Sequence, residues 1–217
     1  MSNRIPVRNP NELSKMRKAG EVSARILMDL ATIIKPGITT GDIDRYAAEL
    51  FAREGCGNAF LGYAGYPGHL CISVNEVVVH GIGDSRVIHE GDIVSLDAGA
   101  IVNGWYGDNA MTVPVGRVSE DVRRLLAVTE EALFRGIEQA KQGNPLSEVC
   151  GAIEDFVKPY GFGIVRDFVG HGVGRHLHEE PQIPNYRPNY PLPRLKRGMV
   201  LAIEPMITMG TFRVKVL

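Results

Sequence analysis

The chain has 217 residues, 44% of them hydrophobic and 23% charged, with a formal net charge of −1. That is enough to bury a sizeable core as one large domain or two small ones. The near-neutral balance gives no reason to propose nucleic acid or a membrane surface as partner, and no apolar run approaches transmembrane length.

The start, "MSNRIPVRNP", lacks the apolar core of a signal peptide. Three cysteines, Cys56, Cys71 and Cys150, match no zinc spacing and suggest no disulfide framework. Both point to a reducing, cytoplasmic setting. Arg4, Arg8, Lys15, Arg17 and Lys18 are interleaved with Glu12 and Glu21, which reads as a solvated helix face.

The first predicted helix is "NPNELSKMRKAGEVSARILMDLATIIKPG", with Asn9 as cap, Pro10 at the first helical position, Glu12 completing the box and Gly37 as stop. "TTGDIDRYAAELFAREG" gives a second helix ending at Gly55. Further on, "VSEDVRRLLAVTEEALFRGIEQAKQG" is a long helix with Ser119 as cap and Gly143 as stop. The shorter "LSEVCGAIEDFVKPYG" follows, with Pro159 near its end and Gly161 after it.

A long helix followed by a shorter one thus occurs twice. Lys35, Gly37, Ile43 and Gly55 correspond to Lys141, Gly143, Val149 and Gly161, each pair 106 residues apart. "HGIG" at 80–83 echoes "HGVG" at 171–174. "GDIVSLD" at 91–97 echoes "GMVLAIE" at 198–204, each with an acid six residues after its glycine. These matches predict an internal duplication, with repeats at about 10–113 and 119–217 of a single domain. A duplicated helix-helix-strand unit predicts an α+β fold in which four helices cover one face of a mostly antiparallel sheet. "PQIPNYRPNYPLPRLK", 181–196, carries five of the thirteen prolines and is expected to be a surface loop, not a central strand.

The stretch "VSLDAGAIVNGWYGDNA", 94–110, places two carboxylates in apolar surroundings. Asn103-Gly104 is a type I′ hairpin signal. With those two as the loop, Val102 pairs with Trp105, Ala100 with Gly107 and Gly99 with Asp108. Asp97 then shares a face with Asp108 as its diagonal neighbour, with Cα atoms about 7–8 Å apart. A buried carboxylate pair needs a counterweight. Either one acid is protonated and the two act as an acid–base pair, or divalent cations sit between them. A solvated hairpin edge fits poorly with Leu96, Ala98, Ile101, Val102 and Trp105.

The second half adds "DFVGHGVGRHLHEEP". His171 lies between glycines that permit close backbone approach, and His178 follows seven residues later. Glu204, in "MVLAIEPM", is read as lying in an apolar strand stopped by Pro205, at the position equivalent to Asp97. Two Asp, one His and one Glu make an oxygen and nitrogen donor set suited to manganese, iron, cobalt or zinc.

With these residues assembled, the chain resembles type I methionine aminopeptidase. The matching segments are "GYPGHLCISVNEVVVHGIGD", "GDIVSLDAGAIVNGWYGDNAMT", "GHGVGRHLHEEPQIPNY" and "GMVLAIEPM". The resemblance implies the pita-bread fold, a pseudo-twofold repeat of helix-helix-strand units around a curved, mostly antiparallel sheet. It implies a dinuclear metallo-exopeptidase that removes the initiator Met from nascent proteins when the second residue is small. Two divalent ions are implied, held by Asp97, Asp108, His171 and Glu204, with Glu204 also moving the proton. His80 and His178 match the histidines that contact substrate at the scissile bond. Phe60, Tyr63, Tyr66, Cys71 and Leu177 match the methionine pocket, Phe60 where a smaller residue is common. A monomer acting on peptides and on nascent chains near the ribosome is the implied setting. The family's fifth ligand is a second Glu on a later strand, beyond Leu217, so the chain as given lacks the last C-terminal strands. The alternatives are a non-catalytic pita-bread binding protein or inactive fragment, or a proline-directed peptidase of the same fold.

Overall fold

A computed structural model describes residues 5–216. The chain divides into two compact units. Of the described residues, the first comprises 11–119 with 174–177, and the second 5–10, 120–173 and 178–216.

The first unit opens with helix α1, Pro10–Ile33, directly after Asn9. It ends four residues before Gly37, earlier than expected. Lys35 precedes Pro36, and a residue before proline is steered away from helical dihedrals. Helix α2, Thr40–Glu54, has a full capping box between Thr39 and Asp42, and Gly55 closes it in the left-handed region. Strands β1 (Gly57–Asn58), β2 (Cys71–Val74), β3 (Ile93–Val102) and β4 (Trp105–Pro114) follow. β3 pairs with β4 along its whole length and with β1 and β2 in turn, all antiparallel.

The core of this unit follows from alternation along β3. Val94, Leu96, Ala98 and Ala100 are fully buried against Ile26, Leu30, Ile43 and Leu50 of the helices. Ser23 of α1 donates to the Ala98 carbonyl at 2.5 Å. α1 lies so close to β4 that a Cβ on Gly107 would stand 2.2 Å from the Ala19 backbone. The helices therefore take one face of the sheet, and Asp97, Gly99 and Ile101 point to the other.

In the second unit, helix α3 (Glu120–Gln139) starts directly after Ser119 and again ends four residues before its glycine, Gly143. Helix α4 (Leu146–Val157) passes into a 3-10 turn, Lys158–Tyr160, closed by Gly161 in the left-handed region. Strands β5 (Gly163–Ile164) and β9 (Ile207–Thr208) pair with each other. β6 (Gly170–Gly172) lies between β7 (Glu179–Ile183) and β8 (Leu201–Ala202). Val149, Cys150, Ile153 and Val157 of α4 pack with Val128 and Ala132 of α3 and with Ile183 and Leu195.

The same backbone bonds recur in the two units. Gly37 N–H donates to Ile88 at 2.8 Å, and Gly143 N–H to Leu195 at 2.9 Å. Ile88 N–H returns a bond to Ile38 at 2.8 Å, and Leu195 N–H returns one to Asn144 at 2.8 Å. Both glycines have positive φ, +93° and +91°.

Three expectations need correction. "GMVLAIE" forms a strand only at Leu201–Ala202, and Glu204 lies beyond it in irregular chain. Among the described residues β8 pairs only with β6, and Pro205 offers no N–H to extend the ladder. The proline-rich segment is not wholly a surface loop: Pro181–Ile183 belong to β7, an edge strand where proline is tolerated. Pro184 and Asn185 are also buried. Finally, Arg8 is not on a solvated helix face. It precedes α1 and pairs with Glu179, with side-chain exposures of 13% and 8%. Lys15, Arg17 and Lys18 are exposed as expected, and Arg4 lies outside the described residues.

Candidate active site

In the first unit, the hairpin places both acids as the register predicts. Gly99 faces Asp108, Asp97 faces Ala110, and the pairing from Ile93–Pro114 to Val102–Trp105 runs without a shift. Asn103 and Gly104 take φ of +53° and +73°, the mirror-image turn that suits strand twist. Asp97 and Asp108 therefore share the face turned away from α1 and α2. A Cβ on Gly99 would meet Ala59 at 2.6 Å and the Phe60 ring at 2.9 Å. Only glycine lets that loop close down beside the acids.

Ala59, Phe60, Cys71 and Leu177 form a buried apolar cluster, with Tyr66, Ile101 and Tyr106 packed on it. It lies beside the acids, because Cys71 pairs with Asp97 across β2 and β3 and Tyr106 pairs with Ile101. Burial, then the charge of Asp97, pushes the Cys71 thiol up to about 12. Burial, then neighbouring Cys71, raises the Tyr66 hydroxyl as well. That hydroxyl lies 2.7 Å from the Gly81 carbonyl. Of the expected pocket residues, Tyr63 is 45% exposed and stands outside the cluster. Ile101 and Tyr106 join the expected residues, and the hairpin register puts both on the acids' face. His80 is exposed and holds φ +60°, a conformation that is uncommon outside glycine.

In the second unit, His171 sits in the middle of β6, 8% exposed. Its flanking glycines are dictated by close packing. A Cβ on Gly170 would stand 2.3 Å from the Ala202 carbonyl oxygen, and one on Gly172 2.2 Å from that of Glu180. Nδ1 of His171 lies 2.9 Å from the Gly172 carbonyl, an acceptor that draws the ring proton to Nδ1 and leaves Nε2 as a ligand atom. Nε2 faces Oε1 of Glu204 at 3.1 Å. Two acceptors this close need a proton or a cation with them. The His178 ring stands edge-on to His171, centroids 4.3 Å apart. These are the imidazole and carboxylate donors that hard and borderline divalent cations take.

The chain matches the model of metallopeptidase family M24 over residues 14–216. This chain belongs to family M24. Among M24 relatives, it is 50% identical to methionine aminopeptidase 1 of Bacillus subtilis, over 98% of this chain and 86% of that protein. It is 45% identical to a methionine aminopeptidase of Clostridium acetobutylicum, over 97% and 85%. The crystal structure of a methionine aminopeptidase from Thermotoga maritima matches with a TM-score of 0.95 at 45% identity, over 99% of this chain and 86% of that one. A prolidase from Pyrococcus furiosus matches at 0.80 and 24% identity, which speaks to the shared fold alone. The M24 fold is the pita-bread fold expected from the sequence, mixing helices with antiparallel sheet. M24 membership carries the use of divalent metal.

Proposed function

We propose that this chain is a metal-dependent aminopeptidase that removes the initiator methionine from nascent proteins whose second residue is small. The observation that carries the reading is 50% identity with a methionine aminopeptidase over nearly the whole chain. The proposed ligands are Asp97, Asp108, His171 and Glu204, holding two ions drawn from manganese, iron, cobalt and zinc. Supporting this, Asp97 and Asp108 share one face of the hairpin in the first unit, and Nε2 of His171 faces Oε1 of Glu204 at 3.1 Å in the second. Bound divalent ions supply a water of lowered pKa and a polarised carbonyl oxygen.

The chain's own residues do the rest. A Glu204 carboxylate oxygen accepts the proton of the attacking water and passes it to the leaving amine. An imidazole N–H of His178 donates to the oxyanion as the tetrahedral carbon forms. His80 contacts the scissile amide. Phe60, Tyr66, Cys71 and Leu177 receive the methionine side chain, with Tyr63 at the mouth. The raised Cys71 thiol stays neutral at physiological pH, so the thioether meets a polarisable, uncharged wall. We place the protein in the cytoplasm as a monomer working close to the ribosome.

The test is release of methionine from Met-Ala-Ser by the full-length protein, with and without a chelator, beside an X-Pro peptide. Chelator-sensitive release from Met-Ala-Ser alone is expected. Cleavage of the X-Pro peptide in its place would overturn the reading.

A further inference from the structure

Residues 59–70, between β1 and β2, contain only one short 3-10 turn, Tyr63–Gly65. Yet this segment supplies Phe60 and Tyr66 and runs directly into Cys71, three members of the apolar cluster. A loop with so few ladder bonds must have its backbone groups satisfied elsewhere. Two side chains do this, and they meet at His69.

From α2, Oδ1 of Asp44 accepts from the backbone N–H of His69 at 2.7 Å and of Leu70 at 3.4 Å. Its Oδ2 stands 2.9 Å from Nδ1 of His69. From β1, Nδ2 of Asn58 donates to the His69 carbonyl at 2.5 Å. Oδ1 of Asn58 accepts from the N–H groups of Phe60 at 2.9 Å and Leu61 at 2.7 Å. Asn58 thus ties the start of the loop to its end, and Asp44 ties that end to a helix.

The anchor is shielded and tightly enclosed. The side chains of His69 and Asp44 are 29% and 19% exposed, so bonds to the carboxylate are charge-assisted in partly dry surroundings. A Cβ on Gly83 would stand 2.8 Å from Cβ of Asp44, and one on Gly68 3.2 Å from its Oδ1. The link to the cluster is short. Leu70, held by Asp44 through its N–H, offers its carbonyl 3.1 Å from the Tyr66 hydroxyl, and Cys71 is the next residue.

We propose that Asp44 is a positioning residue that sets the methionine selectivity of the pocket, acting through His69 and Leu70 on Tyr66 and Cys71, with Asn58 as second anchor. This rests on the aminopeptidase reading above. Asp44 touches no substrate; it fixes the walls that do. An apolar pocket tells neighbouring side chains apart by only about 10–200-fold per methylene, and a wall free to shift gives up that margin.

Steady-state kinetics on Met-Ala-Ser and Leu-Ala-Ser, using the full-length protein, test this. Asp44→Ala should raise KM for the Met peptide by about tenfold or more while kcat stays within about threefold. It should lower the Met-over-Leu ratio of kcat/KM by a similar factor. Asp44→Asn keeps an acceptor for the backbone N–H groups, and His69→Ala keeps both backbone bonds, so each should lose less. Both remain informative if Asp44→Ala folds poorly. A variant that merely folds less well loses active enzyme for both peptides alike, with KM and the ratio unmoved. Hydrogen exchange at the His69 and Leu70 amides reads the anchor without turnover, and protection there should fall in Asp44→Ala. An unchanged Met-over-Leu ratio in the folded variants overturns the proposal alone. A wild-type protein that releases neither residue overturns the aminopeptidase reading and this inference with it.

Discussion

Nδ2 of Asn185 donates to the backbone carbonyl of Glu204 at 2.7 Å, and Asn185 is fully buried. The bond pins the irregular chain that follows β8 to the proline-rich segment after β7. It holds in place a residue that regular structure does not.

Asn185→Ala should therefore act at a distance of one bond. Removing the donor leaves the Glu204 carbonyl without it in a partly buried place, at a cost of about 1–3 kcal/mol. Glu204 is a proposed metal ligand, and outer partners of ligands change affinity by about 10–100-fold, so weaker Mn²⁺ binding on that scale is expected. Urea denaturation and calorimetry measure the two effects separately.

Gly99→Ala should be poorly tolerated. The added Cβ would meet Ala59 at 2.6 Å and the Phe60 ring at 2.9 Å. Overpacking of this kind costs about 1–3 kcal/mol, to be read as a lower urea midpoint. Because Ala59 and Phe60 must both yield, and Phe60 is a proposed pocket residue, KM for a Met peptide should rise as well.

Alkaline pH should destabilise the fold. Burial pushes the Cys71 thiol from 9.0 up to about 12 and that of Cys150 up to about 11. Their folded values lie above the unfolded ones, so their contribution is intact below about pH 9. It falls as pH rises from there toward 11 and 12, because the unfolded chain releases protons that the folded chain keeps. Denaturant midpoints at pH 8 and pH 10.5 should show the loss, and Cys71→Ser should reduce it. At pH 8 the folded Cys71 should resist iodoacetamide, since the thiolate is the reactive form.

Asp108→Asn and His178→Ala should separate binding from turnover. The first replaces a proposed ligand and should remove most Mn²⁺ affinity in calorimetry. The second should leave that affinity in place and lower kcat by about 10²–10³, the scale of one lost oxyanion donor. Full turnover in His178→Ala would remove it from the role.

Local signals in the sequence accounted for the hairpin. Asn103-Gly104 and strict alternation placed Asp97 and Asp108 on one face, and the observed register matches pair for pair. The starts of α1 and α3 were equally readable from Asn9-Pro10 and Ser119. Their ends were not, because the stop signals at Gly37 and Gly143 belong to the loops after the helices, where each N–H is spent on Ile88 or Leu195. The apolar residues around β8 suggest a longer strand than the one formed, since they do not show how few partners it has. Asp44, His69 and Asn58 do not stand out as a group in the sequence. The Asp44–His69 bonds join a helix to a loop 25 residues away, which nothing in local pattern marks; Asn58 reaches the N–H groups two and three residues on, a local turn habit of Asn that does not show its further bond to His69. The pairing of Arg8 is hidden for the same reason, its partner Glu179 being 171 residues distant.

The two-residue turn at Asn103-Gly104 gives this hairpin a fixed count. It can exchange letters, but gaining or losing a single residue between Asp97 and Asp108 would turn one acid toward Ala19 and Leu96, where α1 leaves no room. Such an indel would be far harsher than most substitutions nearby, since it would split the carboxylate pair without touching either carboxylate.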